Sequence, residues 1–158
     1  MNRITIAILT SLFATALSAE APMTEGLIIS EVKAQKGQTI LREKGACVGM
    51  TIKNESEHTY IKVRVRITFL DIDDEAFFED TRFLLIWTGP DDRDTPLRPN
   101  YSIKSKRICS TEGIDLDRWK EGNVKIEIIE TDTLAQYNDR EQKRKEDLKR
   151  LEEIMQND

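Results

Sequence analysis

One short segment of the sequence places four carboxylates within five residues. The run DIDDE contains Asp71, Asp73, Asp74 and Glu75. Hard cations such as Ca²⁺ bind oxygen-rich turns of this kind, so a calcium site is one hypothesis. The EF-hand spacing is not met, because Glu75 and Ala76 occupy the third ligand position and the glycine position. Aspartate is also a common turn residue, so the run favours a hairpin turn, with calcium binding as the alternative.

Residues suited to catalysis are scarce. His58 is the only histidine, and it lies in the polar stretch NESEHTY. Nucleophilic triads and zinc sites generally use histidine as the base or as a ligand. The sequence therefore predicts a protein that is not an enzyme, and a secreted hydrolase ranks behind the calcium alternative.

Apolar and aromatic side chains form a dense group in residues 77–87. Its members are Phe77, Phe78, Phe83, Leu84, Leu85, Ile86 and Trp87. Consecutive residues of a strand point to opposite faces, so this group places apolar side chains on both faces. Either another part of the chain, such as the terminal helix, covers the second face, or an apolar patch is left exposed as a docking surface. Cover from within the chain is the favoured interpretation. A partner-binding site, if one exists, is expected around Trp87, with Arg93 and Tyr101 as further anchors.

The N-terminal residues predict export. Arg3 precedes an apolar run at residues 4–17, and no further charge occurs before Glu20. This is the layout of a secretory signal peptide. The run is shorter than the roughly 20 residues that a helix needs to cross a bilayer. Residues 1–19 are therefore assigned to a signal peptide, and the mature protein is expected to be periplasmic or secreted, without stable membrane insertion.

The charge balance argues against nucleic acid and anionic membranes as partners. Cleavage after Ala19, rather than after Ala21 where Pro22 would hinder the peptidase, removes one cation, Arg3, and no anion. The 24 Lys and Arg of the chain then fall to 23 against 29 Asp and Glu. Phosphate backbones and anionic lipids need clustered Lys and Arg on one face. The expected partner is another protein of the cell envelope.

Cys47 and Cys109 are the only cysteines, and both remain after the predicted cleavage. In the oxidising compartment expected for an exported chain, an even number of cysteines indicates a disulfide. Such a bond would close a loop of about 60 residues and stabilise the fold by about 4 kcal/mol in the chain-entropy model. A redox-active pair would need closer spacing, such as CxxC.

Residues 20–131 are expected to form one β-sandwich domain. Short apolar runs of period two, separated by polar breaks, are typical of antiparallel sheets. The clearest run is residues 60–71, in which Ile61, Val63, Val65, Ile67 and Phe69 alternate with Tyr60, Lys62, Arg64, Arg66 and Thr68. One face of this run is expected to be buried and the other wet, in a central strand. Further strands are predicted at residues 26–34, 38–43, 46–54, 76–87, 101–110 and 123–131.

The composition changes at Asp132. Residues 132–158 contain no Gly or Pro and are rich in helix-forming residues, which predicts a C-terminal helix. Its candidate apolar stripe is interrupted by charge in the middle and comprises Leu134, Tyr137, Glu141, Arg144, Leu148, Leu151 and Met155. A solvated helix is the favoured interpretation, and a helix that binds a partner or pairs with itself is the alternative.

The stretches IKNESEHTYIKVRVRITFLDIDDE and PLRPNYSIKSKRI resemble the FxLYD-type bacterial envelope module and its immunoglobulin-like relatives. The positions that fall on the motif are Asn54, Ser56, Phe69, Asp71, Leu97 and Pro99. Asp74 and Asn100 stand where the motif has glycine, and both residue types tolerate positive φ. The resemblance implies an antiparallel immunoglobulin-like β-sandwich of about seven strands and no activity. The expected function is that of a non-catalytic interaction or accessory module of the cell envelope.

Overall fold

The structure, a computed structural model, describes Thr24, residues 26–90, Asp92 and residues 94–156. The predicted signal peptide and Arg93 lie outside the described residues. The elements, in chain order, are β1 (Leu27–Gln38), β2 (Lys44–Asn54), β3 (Tyr60–Asp71), β4 (Ala76–Ile86), β5 (Ser102–Lys104), β6 (Ile108–Ser110), β7 (Trp119–Thr133) and α1 (Leu134–Gln156). The chain is therefore mainly β, with the predicted C-terminal helix.

The strands form two antiparallel sheets. In the first sheet, β2 pairs with β1 on one side and with β5 and β6 on the other. In the second sheet, β3 lies between β4 and β7. The inward side chains meet in one core, where Val48 and Met50 of β2 pack with Val65, Ile67 and Phe69 of β3. This arrangement confirms the predicted β-sandwich.

Strand β3 confirms the predicted bounds, central position and alternation. The inward residues Val63, Val65, Ile67 and Phe69 are fully buried, whereas Lys62 and Arg64 on the other face are partly exposed. Tyr60 is the exception, because it is predicted on the wet face but is buried. Its backbone pairs with Leu97 through hydrogen bonds of 3.0 and 2.8 Å, and the two side chains belong to a second buried cluster.

Strands β1 and β7 are longer than the predicted 26–34 and 123–131, and two other predicted strands do not form as predicted. Residues 38–43 are predicted as a strand, but residues 39–43 form the turn between β1 and β2. The Thr39 amide donates to the Glu43 carbonyl at 2.9 Å and the Thr39 hydroxyl accepts from the Glu43 amide at 3.2 Å, and such local bonds compete with sheet pairing. Residues 101–110 are predicted as one strand but divide into β5 and β6. At the break, the Ser105 hydroxyl accepts a hydrogen bond from the Met50 amide at 3.0 Å. A backbone carbonyl would accept this bond in a continuous strand.

Cys47 and Cys109 form the predicted disulfide. They lie directly opposite each other on β2 and β6, and their Cα atoms are 4.0 Å apart. Because β6 has only three residues, few ladder hydrogen bonds hold it in the sheet. The disulfide, which spans a sequence separation of 62, therefore ties a short edge strand to the centre of its sheet.

Helix α1 continues directly from β7. The Thr133 hydroxyl accepts from the Gln136 amide at 3.2 Å, and the Gln136 side chain accepts from the Thr133 amide at 2.9 Å, which is a capping box. The Leu134 amide donates to the Thr59 carbonyl at 2.8 Å and fixes the first turn to the sandwich. In the part of the chain that the structure describes, no helix has the length and apolar character needed to span a membrane.

Candidate functional site

The acidic run forms the hairpin turn between β3 and β4, and the buried carboxylate of Asp71 organises it. Its Oδ1 accepts hydrogen bonds from the amides of Asp73 at 3.1 Å and Glu75 at 3.0 Å. Its Oδ2 accepts from Nε and Nη2 of Arg118 at 3.2 and 2.9 Å. The Arg118 bond, followed by the two amides, holds the pKa of Asp71 below its usual range. Asp71 is thus the anchor of the predicted turn.

The other acidic residues of the run have separate surroundings. Asp74 has a φ of 63° at a position where the motif has glycine. Its carboxylate accepts from Asn123 Nδ2 at 2.5 Å and pairs with Lys120 at 3.4 Å, and these contacts hold its pKa below the usual range. Asp73 and Glu75 are exposed. Within the described residues, no group of three or more His, Cys, Asp or Glu side chains is arranged to hold a metal ion, and calcium binding stays a prediction.

Replacing Asp71 with asparagine should flatten the acid limb of the stability curve. A carboxylate whose pKa is lowered by folding stabilises the folded state above its unfolded pKa of about 4, and this contribution is lost as the pH falls through the lowered folded pKa. Asp71→Asn removes that titration, so its melting temperature should be lower at neutral pH and fall less in acid. Tryptophan fluorescence, from the buried Trp119 and the half-buried Trp87, provides the measurement.

The matched control for this measurement is Asp73→Asn. The Asp73 side chain is exposed and only its amide is bonded within the turn, so this variant should keep the wild-type acid limb. An Asp71→Asn curve that runs parallel to the wild-type curve would show that the Asp71 carboxylate does not govern acid stability.

The exposed face of the second sheet carries basic side chains that have acidic partners. The ion pairs are Lys62 with Glu130, Arg64 with Glu130 at 3.4 Å, Arg66 with Glu127 at 3.3 Å and Arg66 with Glu79 at 3.7 Å. The hydrogen bond from Lys62, followed by that from Arg64, holds the pKa of Glu130 below its usual range. Because Lys62, Arg64 and Arg66 each have a carboxylate beside them, this face has mixed charge and is not a cationic patch.

The apolar group at residues 77–87 is partly covered from within the chain. Its buried and half-buried members include Phe77, Phe78, Leu84 and Leu85. The ring of Trp87 packs edge-to-face on Tyr137 of α1, with centroids 5.6 Å apart, so the helix covers one end of the group. Phe83 and Ile86 remain exposed.

The predicted partner anchors lie in different surroundings. Trp87 is half-buried against α1. Tyr101 is exposed in the turn before β5, where its carbonyl accepts from the Asn54 amide at 2.9 Å. Among the described residues, no hydrogen bond or ring contact joins Trp87 to Tyr101, and Arg93 lies outside those residues. A role of these three residues in partner binding stays a prediction.

A groove lies on one side of the sandwich, between β4 of one sheet and β5 and β6 of the other. It has a volume of about 360 Å³. Its lining includes Leu84 and Leu85 of β4, Ile103 and Ile108 of the opposite sheet, and residues Lys104 and Lys106. On the opposite side of the sandwich, β1 contacts β7. The groove is therefore a site where the two sheets leave space between their edges.

Strand β4 forms the edge of its sheet along this groove. Among the described residues it pairs only with β3, so its outer edge presents backbone amides and carbonyls for a further strand. Farther along the same strands, Asp80 of β4 accepts from the Ser110 hydroxyl at 2.5 Å and pairs with Arg82 at 2.8 Å. The hydrogen bond between Ser110 and Asp80 connects the two sheets beside the groove. The part of the β4 edge that borders the groove is residues 83–85.

The groove residues of β5 and β6 are absent from the sites predicted from the sequence. They lie in the segment predicted as one continuous strand, and the groove forms where that segment divides. The available signal is the run KSKR at residues 104–107, because lysine is common on exposed strand edges. Asp94 and Thr95, from the loop after Trp87, also line the groove.

Comparison of the chain with protein-family models, curated proteins and solved structures gave no match.

Proposed function

We propose that the protein is an exported, non-catalytic binding module of the bacterial cell envelope, and that it binds an extended segment of a partner protein in the groove beside β4. The observation that carries this proposal is the free edge of β4 next to an apolar groove of about 360 Å³. A segment that adds to an edge strand gains main-chain hydrogen bonds, and pockets beside the edge select its alternate side chains.

The charge of the groove suggests the chemistry of the partner segment. Lys104 and Lys106 line the groove opposite β4 and outnumber Asp94, the one acidic residue among the described lining residues. Leu84, Leu85 and Ile103 supply the apolar lining. A partner segment that alternates apolar with acidic residues would place its apolar side chains in the groove and its carboxylates near the two lysines. Opposite charges at such a surface mainly raise the rate of association and the specificity.

Several features support the envelope address and the immunoglobulin-like relationship. The N-terminal pattern favours export, and a disulfide suits an oxidising compartment. Asp74 and Asn100, which replace the glycines of the resembled motif, have φ values of 63° and 65°. The FxLYD-type relationship therefore has consistent turn geometry at both positions.

Photo-crosslinking in the native envelope tests this function. A photoreactive residue in place of Lys104 should crosslink a partner protein, and the same residue in place of Lys33 on β1 should not. The double variant Lys104→Glu, Lys106→Glu should lower capture of that partner at least about tenfold, because it repels an acidic segment. Lys33→Glu, Lys36→Glu is the matched control, since both of its lysines are exposed on β1 and the charge change is equal.

Equal loss of capture in the groove variant and the β1 control would contradict the groove as the binding site. Capture that survives the groove variant but is lost in a folded Trp87→Ala protein would place binding at the aromatic group instead. Loss of capture only in Asp73→Asn would favour the acidic turn and the calcium alternative. Circular dichroism of every variant separates lost binding from lost folding.

A further inference from the structure

Most of α1 extends away from the sandwich. Leu134, Tyr137 and Glu141 are half-buried, but every side chain at residues 142–155 is exposed. At 1.5 Å per residue this exposed part is about 20 Å long. Isolated helices of this length are only marginally stable in water, so contact with another surface would stabilise it.

An apolar stripe runs along this exposed part. Leu148, Leu151 and Met155 are 52%, 56% and 80% exposed. Their spacing of three and four residues places them on one helix face. Leu148 and Leu151 follow Leu134 and Tyr137 by two heptads each, so the stripe continues the face that packs on the sandwich.

The charges of α1 are ordered against its own dipole. Residues 140–145 contain four cations and one anion, whereas residues 146–153 contain four anions and two cations. A helix dipole favours anions near the N-terminus and cations near the C-terminus. The first turn of α1 has no acidic residue and its last turn has no basic residue. With Leu148 opposite Leu151 of a second, antiparallel copy, the two dipoles oppose each other. The cations at residues 143–145 then lie beside the C-terminal end of the second helix, where the dipole favours positive charge.

The heptad positions beside the stripe distinguish the two possible orientations. With Leu148 opposite Leu151 of the second copy, antiparallel packing places Lys145 beside Glu152 of that copy, twice by symmetry. Within the described residues neither Lys145 nor Glu152 takes part in an ion pair, so both are available for this contact. Parallel packing would instead place Asp147 beside Glu152 and Arg140 beside Lys145, and both contacts join like charges.

We infer that α1 is a self-association surface through which two copies of the chain pair antiparallel, with Leu148, Leu151 and Met155 forming the seam. This inference goes beyond the binding groove at β4 and does not depend on it. None of the described residues that line the groove belongs to α1, so pairing through α1 is compatible with two binding sites on one assembly, which would raise the avidity for a partner that carries repeated segments.

Sedimentation equilibrium of the purified protein tests the seam. The wild-type protein should show a concentration-dependent change from one chain to two. Leu148→Gln, Leu151→Gln should raise the dissociation constant at least about a hundredfold, because it removes the seam but keeps residue types that favour helix. Lys149→Gln, Glu153→Gln changes two residues on the opposite helix face and should dimerise like wild type.

A charge exchange tests the orientation. Lys145→Glu and Glu152→Lys should each weaken the dimer when antiparallel, and the double exchange should restore it. In a parallel dimer each single substitution would instead relieve a like-charge contact and tighten the pairing. The inference would be overturned if the protein stayed monomeric at millimolar concentration, or if Leu148→Gln, Leu151→Gln left the dimer unaffected. Single charge exchanges that strengthen the dimer would also overturn it. Circular dichroism confirms that every variant keeps its helix and sheet content.

Discussion

Val65→Asp should leave the protein largely unfolded at neutral pH without denaturant. Val65 lies in the middle of the central strand β3 and is fully buried, between Arg82 of β4 and Ile128 of β7 in the sheet pairing. The effective penalty for burying an unpaired charge is several kcal/mol, against a total stability of about 5 to 15 kcal/mol for a typical domain. Circular dichroism and tryptophan fluorescence report the loss of structure.

Arg64→Asp is the matched control, because it introduces the same side chain one residue away on the other face. Arg64 is partly exposed, pairs with Glu130 at 3.4 Å and lies over the Phe83 ring at 5.3 Å. Loss of these contacts and the new like charge beside Glu130 should cost about 1 kcal/mol. Urea unfolding should therefore show a cooperative transition at a modestly lower midpoint. Equal losses in the two variants would contradict the assigned faces of β3.

The contrast between these variants follows from sequence because side-chain alternation is a local property. Strand β3 keeps its predicted bounds because five alternate apolar positions specify one face. The helix that begins at Leu134 is similarly specified by composition and by the Thr133 and Gln136 capping pair. The disulfide follows from the number of cysteines and the predicted compartment.

The misplaced features depend on contacts between distant parts of the chain. Tyr60 is buried because Leu97, far along the sequence, pairs with its backbone. The break between β5 and β6 depends on Ser105 bonding to Met50 of another strand. The groove lies between β4 of one sheet and β5 and β6 of the other, so no local pattern in the sequence predicts it. The turn at residues 39–43 is a different case, because Thr39 is a local turn signal. The apolar Ile40 and Leu41 favour a strand prediction there, although both side chains are exposed.

Asn54 shows how a short motif acts through such distant contacts. Its side chain is fully buried, and Nδ2 donates to the carbonyls of His58 at 2.7 Å and Leu97 at 3.0 Å. Its Oδ1 accepts from the amide and hydroxyl of Ser56 at 3.0 and 2.7 Å. Its backbone carbonyl accepts from Asn100 at 2.7 Å. The residue therefore joins the end of β2, the turn before β3 and the segment that covers Tyr60, and its whole hydrogen-bonding capacity is used.

Asn54→Leu should destabilise the fold by about 3 to 4 kcal/mol, because it removes the four side-chain hydrogen bonds of a fully buried residue, at a net contribution of about 1 kcal/mol each. Among the described residues, the Leu97 carbonyl would keep only the Tyr60 amide as its donor. Ser56→Ala removes only one partner of Asn54 and should cost about 1 kcal/mol. Urea unfolding measures both losses.

Asn54→Asp separates the hydrogen-bonding role from packing, because aspartate has nearly the same shape. At neutral pH its buried carboxylate would face the carbonyls of His58 and Leu97 without a donor, so the loss should equal or exceed that of Asn54→Leu. Burial beside two carbonyls raises the pKa of such a carboxyl, and the protonated form regains one donor. The deficit relative to wild type should therefore shrink as the pH falls toward about 5, whereas the deficit of Asn54→Leu should not follow pH in this way. Two results would show that the buried amide does not hold together the end of β2, the turn before β3 and the segment that covers Tyr60. One is a loss of stability from Asn54→Leu no larger than that from Ser56→Ala. The other is a stability deficit of Asn54→Asp that is constant with pH.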